Sequence, residues 1–338
     1  MSRFLSRAVA ALFIFSFATG GAVLAKSDPG FHLTKSVPLG GSEKWDYLVF
    51  DDTSNRVFIA HGTEVTVVDG RTGVVVGRIG GLTGAHGIAL VTKLGRGYVS
   101  NNGLTTVFDL ATYGVLQEIP TDAGADAVIY DPASERVFVM NGKAASAVAI
   151  DPTNNTIVAR VALGGRPEFA AVDGNGHLFV NIEDKQEIVR LDSRRAEIEA
   201  RWPISECQAP HGLSMDKANR RLFVSCVNST LLAVDADNGK VVAKLPIGKG
   251  TDATAFDSRR KYVFSSNGEG TLSIFEQTGP DAYRPLSPLV TAVGARTMTL
   301  DPESGRVFLV TADVDHAAGG SRQFLPGTLR LMILDPQD

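Results

Sequence analysis

The 338-residue sequence predicts an all-β fold built as a ring of repeated modules, and three observations predict it. An aromatic residue recurs as Phe58, Tyr98, Phe138, Phe179, Phe223, Phe264 and Phe308, at spacings of 40, 40, 41, 44, 41 and 44. An acid recurs as Asp69, Asp109, Asp151, Asp192, Asp235, Glu276 and Asp335, at spacings of 40, 42, 41, 43, 41 and 59, so there are seven modules and the last carries an insertion. Within each module apolar residues alternate with period two, and no stretch keeps a helical period of useful length. Four short strands per repeat of about 40–45 residues are the signature of a β-propeller blade, which makes the prediction a seven-bladed propeller.

The elements follow in order. Arg3 and Arg7, the apolar run Ala8 to Phe17, and Val23-Leu24-Ala25 before the expected cleavage point have the layout of a signal peptide over residues 1–25. The run is too short and too interrupted by Ser16, Thr19, Gly20 and Gly21 to read as a membrane span. The mature chain, 26–338, is then one periplasmic or secreted domain with no later span. Leu33 to Gly40, LTKSVPLG, precedes the first module with nothing to pair with, while the last module ends at Asp335 to Asp338 with no fourth strand. Pairing the two closes the ring and removes an open edge. The expected blades are 42–82, 83–121, 122–164, 165–205, 206–248, 249–289, and 290–338 completed by 31–41. Module three shows the strand pattern: Asp126 to Tyr130, Arg136 to Met140, Ala145 to Ile150 and Thr156 to Leu163, with Asp131-Pro132 and Asn141-Gly142 as turns.

Composition bounds the rest. The chain is 44% hydrophobic and 21% charged with two Cys, which excludes a disordered polymer and a disulfide-dense miniprotein. Thirty-three basic against 37 acidic residues, with no basic block, argues against nucleic acid as a partner.

At the level of motifs, Tyr98-Val99-Ser100-Asn101 and Phe138-Val139-Met140-Asn141 resemble the YVTN propeller repeat. The stretch Asp235 to Glu276, with VDADNGKVVAKLPIGKGTDATAFDS and SSNGEGTLSIFE, and later GARTMTLDPESGRVFLVTAD, resemble the exported YncE-like proteins. The resemblance covers essentially the mature chain. It implies an exported seven-bladed propeller and carries little about activity.

A third column runs through the innermost strands: Asp46, His86, Asp126, Glu168, His211, Asp252 and Arg296, at spacings of 40, 40, 42, 43, 41 and 44. Ring closure places all seven at one mouth of the central channel, each His between acids of adjacent blades. Four carboxylates at a narrow mouth are solvated, hold a cation or have raised pKa values. Imidazole with carboxylate suits one divalent Zn, Fe or Mn ion, and the acids alone suit Ca. The plainer expectation is that the acids cap turn N–H groups and Arg296 pairs with Asp252 and Asp46.

His61, in the turn after the second strand of module one, and His316 and Arg322, in the insertion Asp313 to Gly327, are expected on the same face as ligand-binding residues. A long insertion over a mouth reads as a lid or binding loop. Cys207 and Cys226 flank the His211 strand; in an oxidising compartment a disulfide is expected, and a Cys/His metal site is the alternative. No G-x-S-x-G, H-E-x-x-H, C-x-x-C-H or Walker pattern occurs. Three functional expectations result. The first is binding of a small ligand or divalent cation at the mouth. The second is a metal-dependent hydrolase or lyase like the propeller lactonases, which share a Pro-His pair such as Pro210-His211, with His211 or His86 as catalytic base. The third is a scaffold for a periplasmic protein partner.

Overall fold

The alternation within each module folds as an antiparallel four-stranded sheet, and seven such sheets surround one axis. The structure, a computed structural model, describes residues 30–42, 44–316 and 322–337, so the expected signal peptide lies outside the described residues. Blade one is typical: Trp45–Asp51, Arg56–His61, Glu64–Asp69 and Val75–Ile79 pair in sequence order. The innermost strands of the next five blades are Ala85–Val91, Ala125–Asp131, Pro167–Val172, Pro210–Asp216 and Thr251–Asp257, and that of blade seven is the short Met298–Leu300. Module three forms Ala125–Asp131, Arg136–Asn141, Ser146–Asp151 and Thr156–Ala162, within one residue of its expected bounds.

Ring closure is as the chain ends imply. Phe31–Pro38 pairs antiparallel with Arg330–Pro336, with Val37 opposite Leu331, so the N-terminal strand is the outer strand of blade seven. Blade six departs from the simple pattern. Its outer edge is made of two pieces, Ala282–Pro285 and Leu289–Val290, which both pair with Thr271–Gly279.

The core lies between blades rather than within them, because each sheet is apolar on both faces. One apolar cluster fills each of the seven junctions, as between blades one and two, where Phe58, Val67 and Ile79 meet Ile88, Val99 and Phe108. All seven members of the aromatic column are fully buried there. In blades one to five the acid column stands at the outer turns. Asp69 Oδ1 accepts the Thr72 N–H at 2.7 Å and Asp109 Oδ1 the Thr112 N–H at 2.7 Å, which ties third strand to fourth, whereas Glu276 and Asp335 pair with Arg284 and Arg306.

Candidate functional site

The mouth column sits on a backbone irregularity repeated in six blades. The ladder between the innermost and second strands slips between Trp45 and Leu48, Ala85 and Ile88, Ala125 and Val128, Pro167 and Ala170, Pro210 and Leu213, and Thr251 and Ala253. Asp46, His86, Asp126, Glu168, His211 and Asp252 each fall inside one of these bulges. A bulge re-aims its side chain and frees its backbone groups from the ladder. The freed groups find partners on the neighbouring blade or in their own: Ser100 Oγ donates to Asp126 O at 2.5 Å and Asn181 Nδ2 to His211 O at 2.7 Å; in blade seven, which has no such bulge among the described residues, Arg296 O likewise accepts from Ser266 Oγ. Ser100 and Ser225 also accept the N–H groups of Gly87 and Gly212, at 2.8 and 3.1 Å. These second-strand residues stand two positions after the aromatic column, a polar signal on a buried face that the sequence reading overlooked.

The glycine after each mouth histidine is required by close packing at the axis. A Cβ on Gly87 would lie 2.3 Å from Asp126 O, and one on Gly212 would lie 2.7 Å from Thr254 N. Both obstacles are backbone, so they cannot swing aside.

Two groups of three possible ligands result, Asp46/His86/Asp126 and Glu168/His211/Asp252, each with ligand atoms within 4.8 Å of one another. In the first, His86 Nδ1 lies 2.5 Å from Asp46 Oδ2 and 4.0 Å from Asp126 Oδ1. In the second, His211 Nδ1 lies 3.0 Å from Asp252 Oδ1 and Nε2 lies 3.4 Å from Glu183 Oε1. Arg296 Nε meets Asp252 Oδ2 at 2.9 Å, and Arg166 pairs with Glu183. In the second group a guanidinium thus pairs directly with Asp252, whereas among the described residues no Lys or Arg forms an ion pair with Asp46 or Asp126, and Asp46 feels only the more distant charge of Arg296.

The capping expectation for these acids fails. Among the described residues Asp46, Asp126, Glu168 and Asp252 accept no backbone N–H bond. That work falls to strand-end acids such as Asp131, which accepts the N–H groups of Ala133 and Ser134 at 3.2 and 3.0 Å. The mouth acids instead pay electrostatically for their crowding. Burial, then the charges of Asp46 and Glu168, push the Asp126 carboxyl up to about 8. Burial likewise pushes Glu168 up to about 7 and raises Asp46, which the hydrogen bond from His86 partly offsets. His86 is raised chiefly by its bond to Asp46. His211 is raised too: burial opposes its charged form, and the hydrogen bond and charge of Asp252 outweigh that cost.

Beneath the acids, Tyr47 and Phe169 close the channel. They follow Asp46 and Glu168 in sequence, come from blades one and four on opposite sides of the ring, and meet with ring centroids 4.4 Å apart. The same column elsewhere holds Gly87, Ala127, Gly212, Ala253 and Thr297, which leave the axis free for them. The Tyr47 hydroxyl is buried without a hydrogen-bond partner. Burial and the charges of Asp126, Glu168, Asp46 and Asp252 push its pKa well up. Two aromatics in an otherwise small column were a readable signal for this plug. Above it, a cleft of about 410 Å³ lined by His86, Asp126, Lys143, Arg166 and Glu168 opens at the mouth.

Other expected residues land elsewhere. His61 is not at the mouth surface: it is fully buried, with Nε2 2.7 Å from Thr66 Oγ1 and 3.4 Å from Glu64 Oε1. The reason is strand parity. His61 ends its second strand in the column of Asn101, whose Oδ1 accepts the N–H groups of Thr83 and Gly84 at 2.6 and 3.2 Å, so this column supports the inter-blade links from below. His316 and Arg322 face each other in a hairpin of Val314–His316 and Arg322–Phe324, but their side chains lie outside the described residues. Cys207 and Cys226 form a buried disulfide, which leaves no thiolate for a Cys/His site at His211.

No protein-family model and no curated protein matches the chain. Solved structures do: a chain of Kuenenia stuttgartiensis hydrazine synthase superposes with a TM-score of 0.69 at 16% identity, over 79% of this chain and 92% of that one. At this identity the likeness establishes the propeller fold and carries no chemistry.

Proposed function

We propose that this protein is an exported propeller of the YncE-like, YVTN-repeat kind whose channel mouth binds a divalent cation through Asp46, His86 and Asp126. The observation that carries the reading is the convergence of two carboxylates on one imidazole nitrogen, neither of them in an ion pair with a Lys or Arg among the described residues. A cation there compensates the crowding that otherwise holds Asp126 protonated, and it replaces the proton between His86 Nδ1 and Asp46. One nitrogen and carboxylate oxygens suit Zn, Mn or Fe. The adjoining cleft, with Lys143 and Arg166 on its wall, gives a small anionic ligand access to the open side of the ion. The Cys207–Cys226 disulfide supports export, since such bridges persist in oxidising compartments.

The hydrolytic reading draws support from the His211–Asp252 pair, in which a carboxylate orients an imidazole. Against it, the hydrogen bond and charge of Asp252 raise the pKa of His211 and so work against the neutral imidazole that a general base needs.

The test is metal analysis of the mature protein purified from the periplasm, followed by melting curves with Zn²⁺, Mn²⁺ and Ca²⁺ after chelation. Bound metal near one equivalent, lost in His86→Ala and kept in His211→Ala, is the expected result. Absence of metal together with an unmoved melting temperature overturns the cation. Lactone turnover that survives loss of both histidines overturns the hydrolytic reading.

A further inference from the structure

Beside the mouth, where blades six, seven and one meet, lies a second concave surface of about 510 Å³. Its volume falls in the range of small-molecule sites. Trp45 and Phe324 form its aromatic wall and meet edge to face, with ring centroids 4.7 Å apart. Gly294 makes this seat possible: its φ is +86°, and a Cβ there would lie 2.6 Å from Phe324 Cε1 and 3.4 Å from the Trp45 ring. Gly250 and Gly268 complete the lining with bare backbone. Trp45 is 8% exposed, yet its indole N–H has no hydrogen-bond partner in the protein. Buried indole N–H groups ordinarily find one.

The rim is cationic. Lys44 and Lys249 are exposed on it, and among the described residues neither ammonium lies in an ion pair. Arg296 joins them, its guanidinium fixed by Asp252. Among the described residues the one acid on the lining is Glu269, which accepts a hydrogen bond from Thr271 at 3.1 Å. An aromatic wall and an unpaired cationic rim together specify a ligand with a planar apolar body and one negative end.

We propose that this cleft binds an aromatic monocarboxylate, with its ring against Trp45 and Phe324 and its carboxylate at Lys44 and Lys249. The site is separate from the cation at Asp46, His86 and Asp126 and does not depend on it. An inorganic anion leaves the aromatic wall uncovered, and a neutral aromatic leaves the rim unanswered.

The chain has two tryptophans, so Trp202→Phe leaves Trp45 as the one indole N–H signal in a proton–nitrogen correlation spectrum. In EDTA, which removes any contribution of a mouth cation, trans-cinnamate is titrated against that signal and by calorimetry, with cinnamyl alcohol and acetate as partial ligands. Saturable movement of the Trp45 resonance by cinnamate is expected, with the alcohol and acetate each at least tenfold weaker. Lys44→Glu/Lys249→Glu is expected to weaken cinnamate at least tenfold without shifting the melting temperature, and Phe324→Ala to weaken cinnamate and alcohol alike. A resonance that does not move with cinnamate up to about 10 mM, equal response to acid and alcohol, or full affinity in the charge-reversed variant overturns the proposal.

Discussion

Asp126 shows how much a single position at the mouth is shaped by the ring and how little by its own neighbours in sequence. It is an ordinary aspartate until blades one and four bring Asp46 and Glu168 beside it and burial removes water. Its pKa in the folded state, about 8, is above the unfolded value of 3.8, so the folded protein binds the extra proton between those limits. Stability of the metal-free protein therefore falls as pH rises from about 4 to about 8 through this group. Asp126→Asn removes the term. We expect it to match the parent near pH 4 and to melt roughly 3 °C or more above it at pH 8 in EDTA, with the advantage reversed when Zn²⁺ or Mn²⁺ is added, because the variant has lost a ligand. Melting curves across pH with and without metal check this, and a variant less stable than the parent at pH 8 in EDTA contradicts it. The seven-membered column was legible because it repeats with the blade period. The misplacement of His61 has the opposite cause: a turn position was inferred from sequence, but which face a strand-end side chain takes is set by pairing register.

At the scale of elements, strand order, blade limits and the turn acids were readable because period-two alternation and Asp-rich turns are local signals. The bulges were not, since a one-residue slip in pairing leaves no mark on alternation in a strand buried on both faces. Blade six hid its split outer strand for a related reason: Pro285 and Pro288 interrupt the edge where no ladder partner enforces a single run. The Cys207–Cys226 bridge belongs to this scale as well. It ties the loop entering the innermost strand of blade five to the end of the second strand, across a separation of 19 residues. Loop-closure entropy for that length amounts to about 3 kcal/mol. Replacing both cysteines with alanine is expected to cost about that much by chemical denaturation and to loosen the His211 segment, read as faster amide exchange there than in blade two. Unchanged stability after reduction would show that packing alone holds the loop.

For the molecule as a whole, the critical contact joins residues almost as far apart as the chain allows. Phe31 is buried between blades six and seven, edge to face with Phe264 at 5.5 Å, and Leu39 N–H donates to Leu329 O at 2.9 Å. Lys35 reaches blade one through Thr72 O at 2.6 Å, and Arg306 of blade seven reaches Gly70 O at 2.7 Å while holding Asp335. An open array of blades would fray from its ends, one nearest-neighbour interface at a time, whereas a closed ring must lose two interfaces to release one blade. Without Phe31–Pro38, the strand Arg330–Pro336 becomes a free edge with unpaired N–H and C=O groups, which invites pairing with a second chain. A chain starting at Leu39 is therefore expected to melt at least about 10 °C below one starting at Gly30, over a broader transition, and to associate with rising concentration. The peptide FHLTKSVPLG added in trans is expected to narrow the transition and restore the monomer. Calorimetry and size exclusion of the two chains decide the matter: equal melting temperatures would mean that the seven junction cores, and not the closing strand, keep the ring and its mouth in register.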